Sequence, residues 1–92
     1  MLITNVGCEF TVQLHEQPAA GFEWGCEPPP PGVTLLGEDV RPNTSMIGAP
    51  AEHAFRFRAD IAGDITLRFI YCRPWEKQPR EVRSVDVKVE PK

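Results

Sequence analysis

The 92-residue sequence predicts an all-β protein, and two observations lead to that prediction. Four segments alternate apolar and polar residues with a period of two, as strands buried on one face do. These segments are residues 10–14, 55–59, 65–71 and 85–89. No window shows the i, i+3, i+4, i+7 apolar spacing of an amphipathic helix, so we expect almost no helix.

Three shorter segments complete the predicted set of strands, at residues 2–6, 22–26 and 33–36. They are separated by turn-rich stretches, in keeping with a content of 10 Pro and 7 Gly. About seven short strands in a chain of this length favour an immunoglobulin-like β-sandwich, with a barrel as the alternative. Because no repeat or composition break divides the chain, we expect residues 1–92 to form a single domain.

The composition excludes several classes of protein. Hydrophobic residues make up 41% and charged residues 25%, which is typical of an ordered globular domain. A formal net charge of −3 without a basic face argues against nucleic-acid binding. No apolar stretch approaches the roughly 20 residues of a membrane span, and no signal peptide is visible. We therefore expect a monomer without membrane contact, either cytoplasmic or the mature form of an exported protein.

The candidates for chemistry are few. Cys26 or Cys72 with His15 or His53 could form a nucleophile–base pair, which leaves a thiol-dependent enzyme as one hypothesis. We expect instead that the two histidines are loop or strand-edge residues. With Cys8 the chain has three cysteines, compatible with one disulfide and a free thiol or with three reduced, buried thiols.

Other site motifs are missing from the sequence. No Cys or His spacing resembles a zinc site, and there is no Gly-rich phosphate loop or Ser-centred elbow. The acidic pair Glu38 and Asp39 is expected to lie in a turn and to solvate it. We therefore predict a protein that is not an enzyme and has neither metal nor cofactor.

The proline-rich connection and the two tryptophans are informative about function. The tetraproline run at residues 28–31 is expected to be a rigid surface connector, although it could also be an SH3-type ligand. Trp24 faces the same way as Phe22 along a strand and is expected to lie in the core. Trp75 follows a proline in a loop between two strong strands, which is typical of an interface anchor. The alternative is that Trp75 folds back over the end of the sandwich.

Three segments together resemble the chagasin-like inhibitors of papain-type cysteine peptidases. Residues 14–24, LHEQPAAGFEW, resemble the first inhibitory loop of that family, L-x-x-N-P-T-T-G-Y-x-W. Residues 47–57, IGAPAEHAFRF, are similar to its second loop and following strand, and residues 71–76, YCRPWE, to its third, Y-x-R-P-W-E. The three segments occur in the family's order, and the resemblance as a whole extends over nearly the whole chain.

This resemblance implies an immunoglobulin-like sandwich with three functional loops at one end. The loops would wedge into the cleft of a papain-like cysteine peptidase without being cleaved, and the first would cover the catalytic cysteine. Carried over by position, the peptidase-binding residues are Gln17, Pro18, Ala19, Ala20, Gly21 and Phe22 in the first loop, Gly48, Ala49 and Pro50 in the second, and Arg73, Pro74 and Trp75 in the third.

The first two loops also depart from the family pattern. Gln17 replaces the usual Asn, Ala19 and Ala20 the two threonines, Phe22 the Tyr, and Ala51 a later Gly. Each lost hydroxyl removes a hydrogen bond worth about 0.5–1.5 kcal/mol, or roughly two- to twelvefold in affinity. The departures predict weakened or retuned inhibition. They also leave open a second hypothesis, an adhesion or binding module that keeps the fold but not the inhibition.

Overall fold

The computed structural model describes residues 1–16, 21–41 and 51–92, and these form seven β-strands. The strands are β1 (Leu2–Asn5), β2 (Glu9–Glu16), β3 (Glu23–Cys26), β4 (Val33–Arg41), β5 (Ala51–Ala59), β6 (Gly63–Cys72) and β7 (Glu81–Glu90). Burial alternates residue by residue along β2, as the period of two predicts. The predicted all-β class is confirmed, and the described part of the chain contains no helix.

The strands pair into two sheets that share no hydrogen-bonded edge among the described residues. One sheet has the order β1-β7-β6-β3 and the other the order β2-β5-β4. Neighbouring strands are antiparallel except β1 and β7, which run parallel with Leu2 opposite Val87. Because the inner faces of both sheets bury a common core, the fold is the predicted sandwich and not the barrel alternative.

Aromatic side chains join the two sheets at the centre of the core. The ring centroids of Phe55 and Phe69 lie 5.0 Å apart, and Phe57 meets Phe69 edge-on at 6.3 Å. Phe10 stacks on Phe57 from the neighbouring strand. The three rings at positions 55, 57 and 69 are completely buried, as is typical of the residues that dominate core energetics. Trp24 is only 3% exposed, so its predicted place in the core is confirmed.

Strand β4 is longer than its sequence pattern predicts. The alternation ends near residue 36, whereas the strand continues to Arg41. A β-bulge between Leu35 and Gly37 adds one residue, which shifts the alternation and interrupts its signal. The prediction that Glu38 and Asp39 lie in a turn is therefore wrong, since both pair with β5.

His53 also differs from its predicted position. It lies in β5, the central strand of the three-stranded sheet, and is 3% exposed, so the prediction of a loop or strand-edge residue is wrong for it. His53 is two positions before Phe55 and therefore shares its inward face. For His15 the prediction is confirmed, because its exposed side chain lies on the outer strand β2.

All three cysteines are free thiols, so the alternative with a disulfide is not observed. Cys8 is exposed, whereas Cys26 and Cys72 are partly buried. Within residues 1–16, 21–41 and 51–92, no helix is long and apolar enough to cross a membrane. Over the same ranges, no group of three or more His, Cys, Asp or Glu side chains is arranged to hold a metal ion.

Truncation of the central aromatic ring tests this description of the core. We expect Phe69→Ala to lower the free energy of unfolding by about 3–5 kcal/mol, because it leaves a cavity between the two sheets. Guanidinium-induced unfolding followed by tryptophan fluorescence measures the change. The control, Val82→Ala at an exposed position, should alter stability by no more than about 0.5 kcal/mol. Equal effects of the two changes would contradict the assigned core.

Candidate functional site

Three connections between strands start and finish at one end of the sandwich. In the three-stranded sheet, Glu16 at the end of β2 is opposite Ala51 at the start of β5. In the other sheet, Glu23 at the start of β3 is opposite Cys72 at the end of β6. A hydrogen bond from the Trp24 amide to Glu16 links these two ends. The strand ends that flank the β2–β3, β4–β5 and β6–β7 connections, the first, second and third loops, therefore lie at the same end of the sandwich.

Trp24 closes the root of the first loop with two hydrogen bonds. Its indole Nε1 donates to the carbonyl oxygen of His15 at 2.8 Å, and its backbone amide donates to Oε1 of Glu16 at 3.2 Å. The two partners end β2 in one sheet, while Trp24 belongs to β3 in the other. Because the indole is buried, both ends of the first loop are held at a fixed separation.

A second set of polar contacts connects the first loop to the second. Nδ1 of His53 lies 2.7 Å from Oε1 of Glu16, and its Nε2 lies 3.0 Å from Oε1 of Glu38. The side chains of Glu16 and His53 are each 4% exposed, whereas that of Glu38 is 51% exposed. We call these three residues the Glu–His–Glu bridge. A buried carboxylate is tolerated only with such partners, because desolvation penalises its charge.

An aromatic row extends from the core toward the loops. Tyr71 lies between Trp24 and Phe22, with ring centroids at 4.7 and 5.1 Å. The guanidinium of Arg73 sits 4.3 Å above the Phe22 ring, and that of Arg83 lies 5.2 Å from the ring of Trp24. Cations over aromatic faces are stabilised by the ring quadrupole. The row therefore joins the first loop to the third.

The third loop forms a tight turn at the edge of this row. The amide of Glu76 donates to the carbonyl of Arg73 at 3.1 Å, and the side chains of the two residues form an ion pair at 3.3 Å. Pro74 occupies the second position of that turn, where its fixed φ is favoured. At the base of the loop, the Arg80 amide donates to the carbonyl of Tyr71 at 2.7 Å.

Trp75 lies at the tip of the third loop and is 71% exposed. One edge of its indole covers Gly21, since a Cβ atom added there would lie 2.9 Å from Cη2 of Trp75. Gly21 has a φ of +83°, a conformation that other residues rarely adopt. The indole thus contacts the first loop and leaves most of its surface exposed to solvent.

The thiols do not form the nucleophile–base pair of the enzyme hypothesis. Burial, with the charges of Glu38 and Glu27, raises the pKa of the Cys26 thiol from 9.0 to about 11. A reactive cysteine needs a lowered pKa, since the thiolate is the nucleophile. His15 is directed to Glu52, at 3.7 Å, and His53 to the two carboxylates of the Glu–His–Glu bridge.

The match of the chain to a family model identifies its family. Residues 4–89 match the model of the chagasin family of peptidase inhibitors, I42. The chain belongs to this family. Membership confirms the resemblance predicted from the three loop segments and places the chain among inhibitors, not enzymes.

Individual relatives agree with the family assignment. Amoebiasin-2 of Entamoeba histolytica is 30% identical over 81 residues, which are 85% of this chain and 66% of that relative. The crystal structure of the cysteine protease inhibitor EhICP2 from Entamoeba histolytica superimposes with a TM-score of 0.76. Its sequence is 25% identical, and the match covers 97% of this chain and 87% of that one. The solution structure of Amebosin shares the fold, with a TM-score of 0.70 at 17% identity over 99% of this chain and 87% of that one.

The structure brings together five residues of the chagasin-like site predicted from the sequence. These are Gly21, Phe22, Arg73, Pro74 and Trp75. The other predicted site residues, Gln17, Pro18, Ala19, Ala20, Gly48, Ala49 and Pro50, lie outside the described residues.

Sequence reasoning missed Glu16, Glu38 and the role of His53 beneath the chagasin-like loops. An acidic residue in an inward register position, followed in the same sheet by an inward histidine, is the signal that could have revealed them.

Substitution at Gly21 tests the contact between the first and third loops. We expect Gly21→Ala to cost about 1–2 kcal/mol of stability because of the positive φ, and to displace the Trp75 indole. Thermal unfolding measures the first effect, and a change in tryptophan emission relative to a Trp75→Phe background measures the second. Gly25→Ala is the matched control, since its added methyl group meets no atom within 4 Å. Similar behaviour of the two variants would contradict the described packing.

Alkylation tests the chemical state of the thiols. At pH 7.5 we expect iodoacetamide to modify exposed Cys8 and to leave Cys26 unmodified. With a pKa of about 11, Cys26 has about a hundredfold less thiolate than a thiol with a pKa of 9.0. Mass spectrometry of proteolytic fragments gives the extent of reaction. All three thiols should react in denaturant. Rapid modification of Cys26 in the folded protein would show that the thiol is not shielded as described.

Proposed function

We propose that the protein is a reversible inhibitor of papain-like cysteine peptidases that inserts the loop end of its sandwich into the active-site cleft. The observation that carries this proposal is the contact of Trp75 and Arg73 with Gly21 and Phe22, which joins two segments of the family's loop pattern into one surface. EhICP2, described as a cysteine protease inhibitor, supports the same partner class.

The described part of the loop end suits an inhibitor because the third loop and Gly21 are already held in defined conformations. The Arg73–Glu76 turn is closed by a backbone hydrogen bond, and Gly21 already holds its left-handed conformation. Trp75 offers a rigid, largely exposed indole beside them. Affinity gained through such preorganisation comes from a lower entropic cost of association, while a buried tryptophan supplies a large share of the contact energy.

Phe22 and Arg73 have complementary roles in this proposal. The stacked guanidinium keeps the Phe22 ring in place and pairs with Glu76, so that the first and third loops present one surface. A hydroxyl at position 22, as in the family pattern, is not needed for the stack on Tyr71. We therefore expect Phe22 in place of Tyr to change the strength of inhibition and not to abolish it.

The proposal takes the chain as one domain that acts as a monomer, with one inhibitor for each peptidase molecule. The alternative of a binding or adhesion module without inhibition has no specific contact in its favour. Neither nucleic acid nor membrane has a part in the proposed mechanism.

Titration of papain with the pure protein tests the proposed function. We expect reversible inhibition that competes with a peptide substrate, and an intact inhibitor chain when the mixture is analysed by mass spectrometry afterwards. Absence of inhibition at high micromolar concentration, for papain and for several cathepsins, would overturn the proposal. Cleavage of the chain in step with lost inhibition would show a substrate instead.

The anchor role of Trp75 is tested separately. We expect Trp75→Ala to weaken inhibition at least about tenfold, because a buried tryptophan anchor contributes about 2 kcal/mol or more. Ile61→Ala is the control, since Ile61 is a similarly exposed apolar residue in the β5–β6 connection at the opposite end. If both variants inhibit as strongly as the unmodified protein, Trp75 lies outside the interface.

A further inference from the structure

His53 sits between two carboxylates that come from different strands. Glu16 of β2 faces its Nδ1 at 2.7 Å, and Glu38 of β4 faces its Nε2 at 3.0 Å. An ionised carboxylate can only accept hydrogen bonds, and a neutral imidazole can donate only one. The contact with buried Glu16 is a hydrogen bond to an ionised carboxylate only if Nδ1 carries a proton, and the 2.7 Å separation favours that arrangement.

The two carboxylates of the bridge differ in their access to water. Glu38 is half exposed and can bind water if the imidazole releases it. Glu16 is 4% exposed, and its Oε1 depends on His53 and the Trp24 amide. The His53 ring also stacks on Phe55, with centroids 4.3 Å apart. Loss of the imidazole would leave buried Glu16 with the Trp24 amide as its remaining donor among the described residues.

Glu16 transmits the state of His53 to the first loop. It is the last residue of β2, and the carboxylate oxygen that contacts His53 also accepts the Trp24 amide beyond the loop. If Glu16 turns toward solvent to recover hydration, the hydrogen bond to Trp24 breaks. The two roots of the loop are then no longer held through the carboxylate.

We propose that His53 is a positioning residue for the first loop and that its Nδ1–H group, by donating to Glu16, fixes the loop roots in the geometry that inhibits the peptidase. The inference rests on the proposed inhibitory function. In contrast to the loop residues, His53 affects inhibition without contacting the peptidase.

The first experiment compares His53→Phe with Glu38→Gln. Phenylalanine keeps a ring against Phe55 but donates to neither carboxylate, whereas Glu38→Gln leaves Glu16 and its two donors in place. Inhibition of papain is measured at a temperature where circular dichroism shows each variant to be fully folded. We expect His53→Phe to weaken inhibition about fivefold or more, within the usual range of coupling between separate sites, and Glu38→Gln to change it less than about twofold.

Amide exchange of Trp24 provides a readout that needs no peptidase. We expect faster exchange of this amide in His53→Phe, because its acceptor turns away, and unchanged exchange in Glu38→Gln.

The outcomes separate the two proposals. Equal inhibition by His53→Phe and the unmodified protein, with slow Trp24 exchange, would overturn the positioning role and leave the inhibitory function standing. If the unmodified protein does not inhibit, the proposed function fails, and with it the role of His53. Should His53→Phe fail to fold, ¹⁵N chemical shifts of the His53 ring in the unmodified protein decide: a protonated Nδ1 in the inhibiting pH range supports the proposal, and an unprotonated Nδ1 overturns it.

Discussion

The arrangement of the loop end depends on one buried carboxylate. Glu16 is almost fully removed from water, so its charge has to be balanced by groups of the protein itself. Its partners come from β5, through His53, and from β3, through the Trp24 amide. These strands belong to different sheets, so satisfying a single oxygen atom closes the sandwich at the point where the apolar core ends. Beyond the apolar core, these hydrogen bonds of Glu16 hold the two sheets together.

Above this carboxylate, the side chains are ordered by increasing exposure. Trp24 is buried, Tyr71 and Phe22 are partly buried and stacked, and Trp75 projects into solvent. Arg73 lies over both Phe22 and Trp75, with its guanidinium 5.8 Å from the second ring. The buried residues therefore fix the positions of the exposed residues of the site. Because these side chains are held by contacts with the sandwich, they need no separate hydrophobic core, which suits a small domain.

The sequence predicted the parts of the protein that follow a regular period. Strands such as β2 and β5 alternate strictly, and the loop segments around Gly21 and Trp75 have recognisable composition. The end of β4 was not predictable in this way, because its bulge changes the register and brings Glu38 opposite Phe55, although the Glu38 side chain stays half exposed. His53 was misplaced for a related reason, since an isolated polar residue on an inner face is recognised only when its partner is known. Burial of charge is a property of pairs, and the partners of His53 come from two other strands.

The parallel pairing of β1 with β7 has a consequence for how the chain assembles. Leu2 lies opposite Val87, so the first strand has no place in its sheet until the last strand has been added. The antiparallel partners β6 and β7 are close in sequence and can meet early, whereas the β1–β7 contact closes nearly the whole chain as one loop. Such non-local topology is associated with slow folding. In a growing polypeptide, β1 therefore stays unpaired until β7 is available, and completion of the four-stranded sheet is a late event.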